Sequence, residues 1–302
     1  MMPVEGDILF LWENSEAVVY GCYQNPFLEI DLPLMWREGI PVVRRISGGG
    51  TVYHGPGNIN YTWLTTPDYD GVDYARFLTP MVDAIRSLGY PVEVRNDIDI
   101  YLAEAKISGS AQKRKKGRVL HHGTLLVDCD LVRLKRSGPK NLERRSGKGV
   151  KSRPATVGNL IAHEDGRQNG DRAKQTAQFK KALERALELD QAELITLSDD
   201  DLAAIARLKE EKYDTWAWTY GDAPAFSFKH AFTLEEAGGD SSTVIDLAYD
   251  AKKGRVVDAL IRKNGVLSDT LSQSFGGLRL ERSVLEAWCV KHFGNEMIDR
   301  LL

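Results

Sequence analysis

Residues 44–54 read RRISGGGTVYH and form the most informative segment of the chain. Three consecutive glycines are costly in backbone entropy and are typical of a backbone that bends sharply or touches a ligand. The amides of such a loop bind anions, and the adjacent Arg45 offers a bidentate fork for phosphate or carboxylate. The alternative is a tight turn beside two solvated arginines. The spacing matches neither a Rossmann fingerprint nor a P-loop.

Strand patterns surround this glycine loop. Residues 42–43 and 51–53 are strand-like, and residues 8–20 predict two buried strands joined as a hairpin around residues 13–15. The other segments that predict strands are residues 91–94, 98–102, 124–127, 225–232, 243–249 and 255–261.

Helical spacing follows further along the chain. Residues 74–88 place four apolar side chains on one face and end before Gly89, with Pro80 expected to shorten the helix. Residues 133–153 predict a long loop. Helices are predicted at residues 173–189 and 202–212 and from about residue 282, where Leu285, Trp288 and Met297 are expected to be buried. Strands with helices packed on one face predict the α+β class.

Composition bounds the function without identifying it. The 302 residues are 42% hydrophobic and 27% charged with a net charge of −3, which is typical of a globular protein and implies no particular partner. No run of about 18 apolar residues predicts a membrane span, and no secretory signal is recognisable. Three widely separated cysteines predict neither a disulfide framework nor a zinc site. We therefore expect a cytoplasmic protein.

A second group of candidate residues follows the first, at residues 96–97 (ND) and 106–112 (KISGSAQ). Lys106 lies among small residues that leave room for a ligand, and its ammonium is suited to a phosphate or carboxylate oxygen. The alternative is a solvated surface lysine. Asp97 is either a helix cap or a ligand for a metal or hydroxyl. A third segment, residues 121–126 (HHGTLL), lacks a second ligand pair, so a buried, hydrogen-bonded histidine is favoured over zinc.

Together these three segments resemble the signatures of the lipoate–protein ligase family, which are RRxSGGG, KISGSA and HHGTLL in this order. Flanking segments at residues 11–14, 24–26, 150–153 and 216–226 add to the resemblance, which covers nearly the whole chain. It implies a large biotin/lipoate-ligase-like catalytic domain at residues 1–215, with mixed and antiparallel sheets flanked by helices. A small α+β accessory domain would follow at residues 222–302. The family's usual first strand and helix, before Ile8, are expected to be missing.

The resemblance also implies a role for each candidate residue. It assigns catalysis to Lys106, contacts with ATP or the adenylate to Arg45, Gly50, Thr51, Val52, Tyr53, Asn96, Asp97 and Lys106, contacts with lipoate to Ser47, Gly48, Gly49, His54, Lys106 and His122, and Mg²⁺ binding to Asp97. ATP would activate lipoate as an adenylate, and an acceptor lysine would then attack it directly.

The implied partners are lipoyl-domain proteins, namely the E2 subunits of 2-oxoacid dehydrogenases and the glycine cleavage H protein. We expect a monomer that binds neither nucleic acid nor a membrane. A basic run at residues 113–118 is either a solvated loop or a rim that attracts an acidic acceptor.

Two alternatives stay open at this stage. An octanoyl or lipoyl transferase of the same fold would use a cysteine thiolate, but no cysteine lies between Val52 and Lys106. A non-catalytic lipoyl-binding subunit is the second. Biotin ligases share the fold, but their Gly-Arg-Gly-Arg loop is absent from this sequence.

Overall fold

The computed structural model describes residues 6–66, 71–161, 169–235, 242–294 and 297–302. The chain divides into two compact units that each combine three segments. Unit 1 comprises Met1–Cys22, Arg45–Lys135 and Ser152–Ser198, and unit 2 comprises Tyr23–Arg44, Arg136–Lys151 and Asp199–Leu302. The domains predicted at residues 1–215 and 222–302 stay a prediction.

Strands and helices alternate irregularly along the chain. The strands are β1 (Ile8–Trp12), β2 (Ala17–Tyr20), β3 (Val42–Arg44), β4 (Val52–His54), β5 (Asn58–Thr65), β6 (Val92–Arg95), β7 (Asp99–Leu102), β8 (Ala105–Lys115), β9 (Arg118–Leu126), β10 (Arg145–Gly147), β11 (Phe226–Glu235), β12 (Ser242–Lys252), β13 (Arg255–Lys263) and β14 (Val266–Leu267). The helices are α1 (Pro26–Glu29), α2 (Leu32–Glu38), α3 (Ala75–Ser87), α4 (Leu131–Arg136), α5 (Asn169–Ala186), α6 (Asp199–Leu208), α7 (Trp216–Thr219), α8 (Asp269–Phe275), α9 (Arg282–Phe293) and α10 (Ile298–Leu301). No helix in the described ranges has both the length and the apolar character needed to cross a bilayer.

Unit 1 is organised around a six-stranded antiparallel sheet in the order β1-β5-β9-β8-β7-β6. Helices α3 and α5 contribute to the core against this sheet, and the confirmed class is α+β. The strands predicted at residues 91–94, 98–102 and 124–127 overlap β6, β7 and β9, which differ from them at one or both ends. Strand β8 extends through the Lys106 motif, which the sequence placed only at a strand end.

The hairpin predicted at residues 8–20 is wrong, although both strands form. β1 pairs over its whole length with β5, from Ile8↔Leu64 to Trp12↔Asn60, and β2 pairs with β4. All four residues of β2 are buried, whereas those of β1 are partly or fully exposed. The two strands therefore satisfy their backbone groups with distant partners, and a local turn signal cannot reveal such pairings.

Helix α3 follows the predicted pattern, but Pro80 does not shorten it. A proline inside a helix costs about 3 kcal/mol. Leu78, Met81 and Ile85 are each at most 1% exposed, and burying such side chains stabilises by about 1.5–3 kcal/mol each. Burial outweighs the lost hydrogen bond, so the helix continues to Ser87.

The long loop predicted at residues 133–153 is partly wrong. α4 runs into this segment, a 3-10 turn forms at Leu142–Arg144, and β10 follows. Long-range contacts order it, because β10 pairs with β11 and Arg133 forms an ion pair with Glu16 at 2.8 Å. Basic, serine-rich and glycine-rich composition alone does not carry that information.

Unit 2 contains the antiparallel sheet β10-β11-β12-β13-β14. The predicted β12–β13 hairpin is confirmed, and its turn at Lys253 and Gly254 adopts positive φ angles. Helix α9 begins at Arg282 as predicted, and Leu285 and Trp288 are buried, whereas Met297 is only half-buried.

Candidate active site

The glycine loop of unit 1 is held from inside by Arg45. The backbone N–H of Arg45 donates to Tyr20 O at 3.0 Å. Its Nη2 donates to Gly48 O at 2.6 Å and to Gly50 O at 2.7 Å, its Nη1 donates to Val19 O at 3.1 Å, and its Nε donates to Gly48 O at 3.1 Å. Four of the five guanidinium N–H groups thus bind backbone carbonyls.

Arg45 is therefore a clamp on the loop in this structure. Burial lowers the pKa of its guanidinium to about 10, so the side chain remains charged at neutral pH. Gly49 lies at φ +88, and an added Cβ there would approach Arg45 Nη2. Glycine is needed at this position both for the backbone angle and for the close guanidinium. The predicted phosphate contact of Arg45 stays a prediction.

The residues after the glycines are fixed by their own partners. The Thr51 N–H donates to Ser152 Oγ at 3.1 Å, and the buried Tyr53 hydroxyl donates to Glu16 Oε1 at 2.8 Å. Burial and this hydrogen bond raise the pKa of Tyr53 above its usual range. Val52 lines the pocket described below.

Lys106 on β8 forms an ion pair with Asp99 on the neighbouring strand β7 of the six-stranded sheet. Lys106 Nζ lies 2.7 Å from Asp99 Oδ1, and the two side chains are 23% and 10% exposed. The Lys106 N–H donates to Thr156 O at 2.8 Å, and the Gly158 N–H donates to Lys106 O at 3.0 Å. The backbone is thus fixed on both sides, while the ammonium keeps donors beyond the one that faces Asp99.

Asp99 is a site residue that the sequence analysis missed. Asn96 and Asp97 are exposed in the turn between β6 and β7, at φ +53 and +62. The carboxylate that reaches Lys106 comes two residues later, on β7, which pairs with β8 through Asp99↔Gly109. An alternation argument that paired residues 98–102 with residues 106–112 would have found it. The roles predicted for Asn96 and Asp97 stay predictions.

Two histidines, His122 on β9 of this sheet and His54 on β4, form a second group of polar side chains. The His122 Nε2 lies 2.6 Å from Ser47 Oγ, and the Asn14 Nδ2 donates to His54 Nδ1 at 2.9 Å. Burial, reinforced by the charge of Arg45, lowers the pKa of both His54 and His122 to about 4. Both rings are therefore neutral near pH 7 and act as hydrogen-bonding groups.

The adjacent histidine, His121, belongs to the core. It is fully buried and stacks on Phe77 with ring centroids 4.8 Å apart, and burial lowers its pKa to about 3. Consecutive residues of a strand point to opposite faces, so His121 and His122 are not aimed at one ligand. Within the described ranges, no three His, Cys, Asp or Glu side chains come together as a metal site.

A pocket of about 230 Å³ lies on the His122 face of the sheet. Its lining residues are Trp12, Val19, Arg45, Ile46, Ser47, Val52, His54, Asn60, Thr62, Gly109, Ala111, Leu120, His122, Gly123 and Thr124. The predicted residues Arg45, Ser47, Val52, His54 and His122 thus come together. The sequence analysis missed Trp12, Asn60, Thr62 and Thr124, because only the register of distant strands places them beside the motifs.

The strand register shows which residues line the path across the sheet from the Lys106 strand, β8, to β1. From the Lys106 end the paired residues are Asp99–Gly109, Ala111–His122, His122–Thr62 and Asn60–Trp12. Neighbouring strands lie about 4.8 Å apart, so the path from β8 to β1 is roughly 14 Å. An eight-carbon acid is about 10 Å long by ordinary C–C geometry. Its carboxylate at Lys106 would bring the far end of its chain towards β5 and β1.

The cysteines do not resemble an activated nucleophile. Cys129 is buried, and burial raises the pKa of its thiol to about 12. Cys289 is buried in unit 2, and Cys22 is half-buried with its N–H donating to Ser47 O at 2.9 Å. Cys22 is therefore the cysteine whose role must be tested.

An antiparallel sheet that carries a pocket, with a lysine–carboxylate pair beside the lining residue Gly109, is suited to bind a small acid. Residues 3–188 match the family described as the lipoyl protein ligase A/B catalytic domain. The chain is 31% identical over 262 residues to lipoate–protein ligase 1 of Staphylococcus aureus, which covers 86% of this chain and 76% of that protein. The chain belongs to the lipoyl protein ligase A/B family.

Solved structures agree with this assignment. A putative lipoate protein ligase from Thermoplasma acidophilum with bound lipoic acid has a TM-score of 0.54 and 26% identity, over 71% of this chain and 86% of that one. A lipoate–protein ligase A bound with ATP has a TM-score of 0.53 and 26% identity over the same shares of the two chains. Both complexes are of neighbours that share this fold.

Proposed function

We propose that this chain is an ATP-dependent lipoate–protein ligase, which forms lipoyl-AMP and transfers the lipoyl group to a lysine of a lipoyl-domain protein. The observation that carries the proposal is the Lys106–Asp99 pair, which lies beside Gly109, a residue that lines an acyl-sized pocket. Its family membership and the lipoate and ATP in the neighbouring structures support the same activity.

In the first step the carboxylate oxygen of lipoate attacks the α-phosphorus of ATP. A C–O–P mixed anhydride forms, the bond to the pyrophosphate oxygen breaks, and pyrophosphate leaves. Negative charge builds on the α-phosphate oxygens, where the remaining N–H donors of Lys106 stabilise it. Asp99 acts as a positioning residue, because its carboxylate holds the ammonium in place.

Magnesium is the ion suited to this step, since it is usually bound by one or two carboxylates together with substrate phosphates. We assign this pattern to Asp97, which is exposed in the turn between β6 and β7, together with Asp99, which lies beside Lys106. Bound there together with ATP, Mg²⁺ would supply positive charge that neutralises the phosphate oxygens. The sequence prediction for Asp97 is kept as part of this proposal.

In the second step the amine of the acceptor lysine attacks the acyl carbon, an amide forms, and AMP leaves. We propose lipoyl domains as acceptors, in the E2 subunits and the H protein named above. The β8–β9 hairpin supports an acidic partner, because it carries five cations, of which Arg114, Lys115 and Lys116 are exposed. Lys113 lies seven residues beyond Lys106 on β8, roughly 23 Å away, so these charges act on the acceptor and not on the small acid.

We place the enzyme in the cytoplasm as a monomer. Its three cysteines carry free thiols, which suits a reducing compartment.

The proposal is tested by measuring whether pyrophosphate release from ATP depends on added lipoate. Purified protein is incubated with ATP and Mg²⁺, with and without lipoate, and release is followed continuously. Release that requires lipoate, followed by AMP formation only when a lipoyl domain is added, is the expected result. Equal release with and without lipoate, or none in either, would contradict ligase activity.

The alternative is an acyl transferase that uses a thiolate. Cys22 favours it, because its backbone contacts the glycine loop. Octanoyl transfer from an acyl carrier without ATP, lost on Cys22→Ser, would establish the transferase. We expect ATP-dependent ligation to survive Cys22→Ser.

A further inference from the structure

The far end of the pocket contains a buried polar group that the chemistry at Lys106 does not use. Asn60 lines the pocket and is 2% exposed. Its Oδ1 accepts a hydrogen bond from Asn58 Nδ2 at 3.0 Å, whereas its Nδ2 meets no hydrogen-bond partner among the described residues. A buried N–H without an acceptor is unfavourable, and such groups in native proteins call for an explanation.

The surroundings of Asn60 distinguish this end from the Lys106 end. Trp12, which pairs with Asn60 across β1 and β5, donates from Nε1 to Thr62 Oγ1 at 3.0 Å. The Trp12 ring also meets the His54 ring edge-on, with centroids 5.8 Å apart. This end therefore offers aromatic surfaces and one uncommitted amide donor.

We infer that Asn60 recognises the sulfur-bearing end of the acyl chain and so selects lipoate over a saturated acid of the same length. The inference rests on the proposed function and deepens it. With the carboxylate at Lys106, the register places the last carbons of an eight-carbon chain beside β5 and β1. The Asn60 amide then donates to a ring sulfur, while Trp12 and His54 contact the sulfur atoms with their rings.

The selectivity follows from what a saturated chain would do at this place. Octanoate has no acceptor at its far end, so its methyl group would displace solvent from Asn60 and leave the amide N–H unpaired. A site built around a hydrogen bond discriminates against a ligand that lacks the partner. Because sulfur is a weak acceptor, we expect about a tenfold preference from this group.

The test compares lipoate, octanoate and 5-cyclopentylpentanoate, which keeps a five-membered ring but has no sulfur. Pyrophosphate release gives kcat/KM for each acid, and calorimetry without ATP gives each Kd. In Asn60→Leu, the lipoate-to-octanoate ratio of kcat/KM is expected to fall about tenfold. In the wild type, the cyclopentyl acid is expected to behave like octanoate.

Asn58→Leu is the matched control. It breaks the same Asn58–Asn60 hydrogen bond but keeps the Asn60 amide, and Asn58 does not line the pocket. We expect its lipoate-to-octanoate ratio to stay within about twofold of the wild-type ratio, since RT ln 2 is well under the effect of a lost donor. Circular dichroism and Tm are measured for both variants.

Two results would overturn the inference. One is an unchanged ratio in folded Asn60→Leu, and the other is equal affinity of the wild type for lipoate and the cyclopentyl acid. The second needs no variant and so decides the matter even if Asn60→Leu fails to fold. Failure of the proposed function looks different, because wild-type protein would then release no pyrophosphate with any acid while calorimetry still compared the three ligands.

Discussion

The glycine loop and the Lys106 corner both place a cation beside glycines, yet the structure uses the two cations differently. Arg45 is buried, and four of its N–H groups bind carbonyls of its own unit. Lys106 is partly exposed and faces a single carboxylate. A forked, always charged guanidinium organises several carbonyls at once, whereas a compact ammonium with spare donors remains available to a ligand. The comparison therefore distinguishes Arg45, which stabilises the structure of the site, from Lys106, which is available to a ligand.

Replacing Lys106 gives the largest expected effect on activity. Lys106→Ala should lower lipoate-dependent pyrophosphate release by about 100- to 1,000-fold, because one donor to developing transition-state charge is lost. The fold should be retained, since circular dichroism and Tm depend little on a partly exposed side chain. Lys180→Ala is the matched control, because Lys180 also pairs with one carboxylate of unit 1, Glu13 at 3.3 Å. If Lys106→Ala retained activity within about threefold of the parent, Lys106 would have no role in adenylate formation.

Replacing Arg45 should act first on stability. Arg45→Ala leaves the buried carbonyls of Val19, Gly48 and Gly50 without this donor, and we expect a loss of about 3–5 kcal/mol in the free energy of unfolding. Urea denaturation measures it. Arg86→Ala is the control, because Arg86 also donates to a carbonyl, Val92 O, but from a half-exposed side chain. A stable Arg45→Ala protein that has lost activity would instead make Arg45 a ligand contact.

Low pH should destabilise the folded protein through His122, which contacts Ser47 of the glycine loop. His122 has a folded pKa of about 4, below its ordinary value of about 6.5, so the folded state binds fewer protons between these pH values. Its contribution is present above about pH 6.5 and is lost as pH falls towards 4, by at most about 1.4 kcal/mol per pH unit. His122→Asn should flatten the pH dependence of urea unfolding by that amount, and an unchanged slope would mean that His122 is protonated in the fold.

Charge reversal on the β8–β9 hairpin should give the smallest effect, and on one half-reaction only. Lys113→Glu, Arg114→Glu and Lys116→Glu together should slow transfer to a lipoyl domain several-fold at low salt, and less at high salt, because surface charges are screened over about 8 Å at physiological ionic strength. Adenylate formation should stay near the parent rate. The same change at the exposed Lys174, Lys181 and Arg185 of α5 is the matched control. Equal losses in both half-reactions would mean that the hairpin is a solvated loop and does not attract the acceptor.

Features that depend on neighbours along the chain could be predicted from the amino-acid sequence. Helix α3 was predicted from the spacing of Leu78, Met81, Val82 and Ile85, and the β12–β13 hairpin from its turn residues, because both patterns repeat within a few positions. The three motifs identified the family for a similar reason, since each is a short run that the chemistry of one loop or strand requires.

Contacts between residues that are distant along the chain could be identified only from the folded structure. It separated β1 from β2, gave Lys106 the partner Asp99, committed the Arg45 donors to the glycine loop, and placed Asn60 in the lining of the pocket. Each of these facts follows from strand order and register, which are set by contacts between residues tens of positions apart. The sequence therefore supplied the chemical groups, and the pairing of the strands determined which of them share a site.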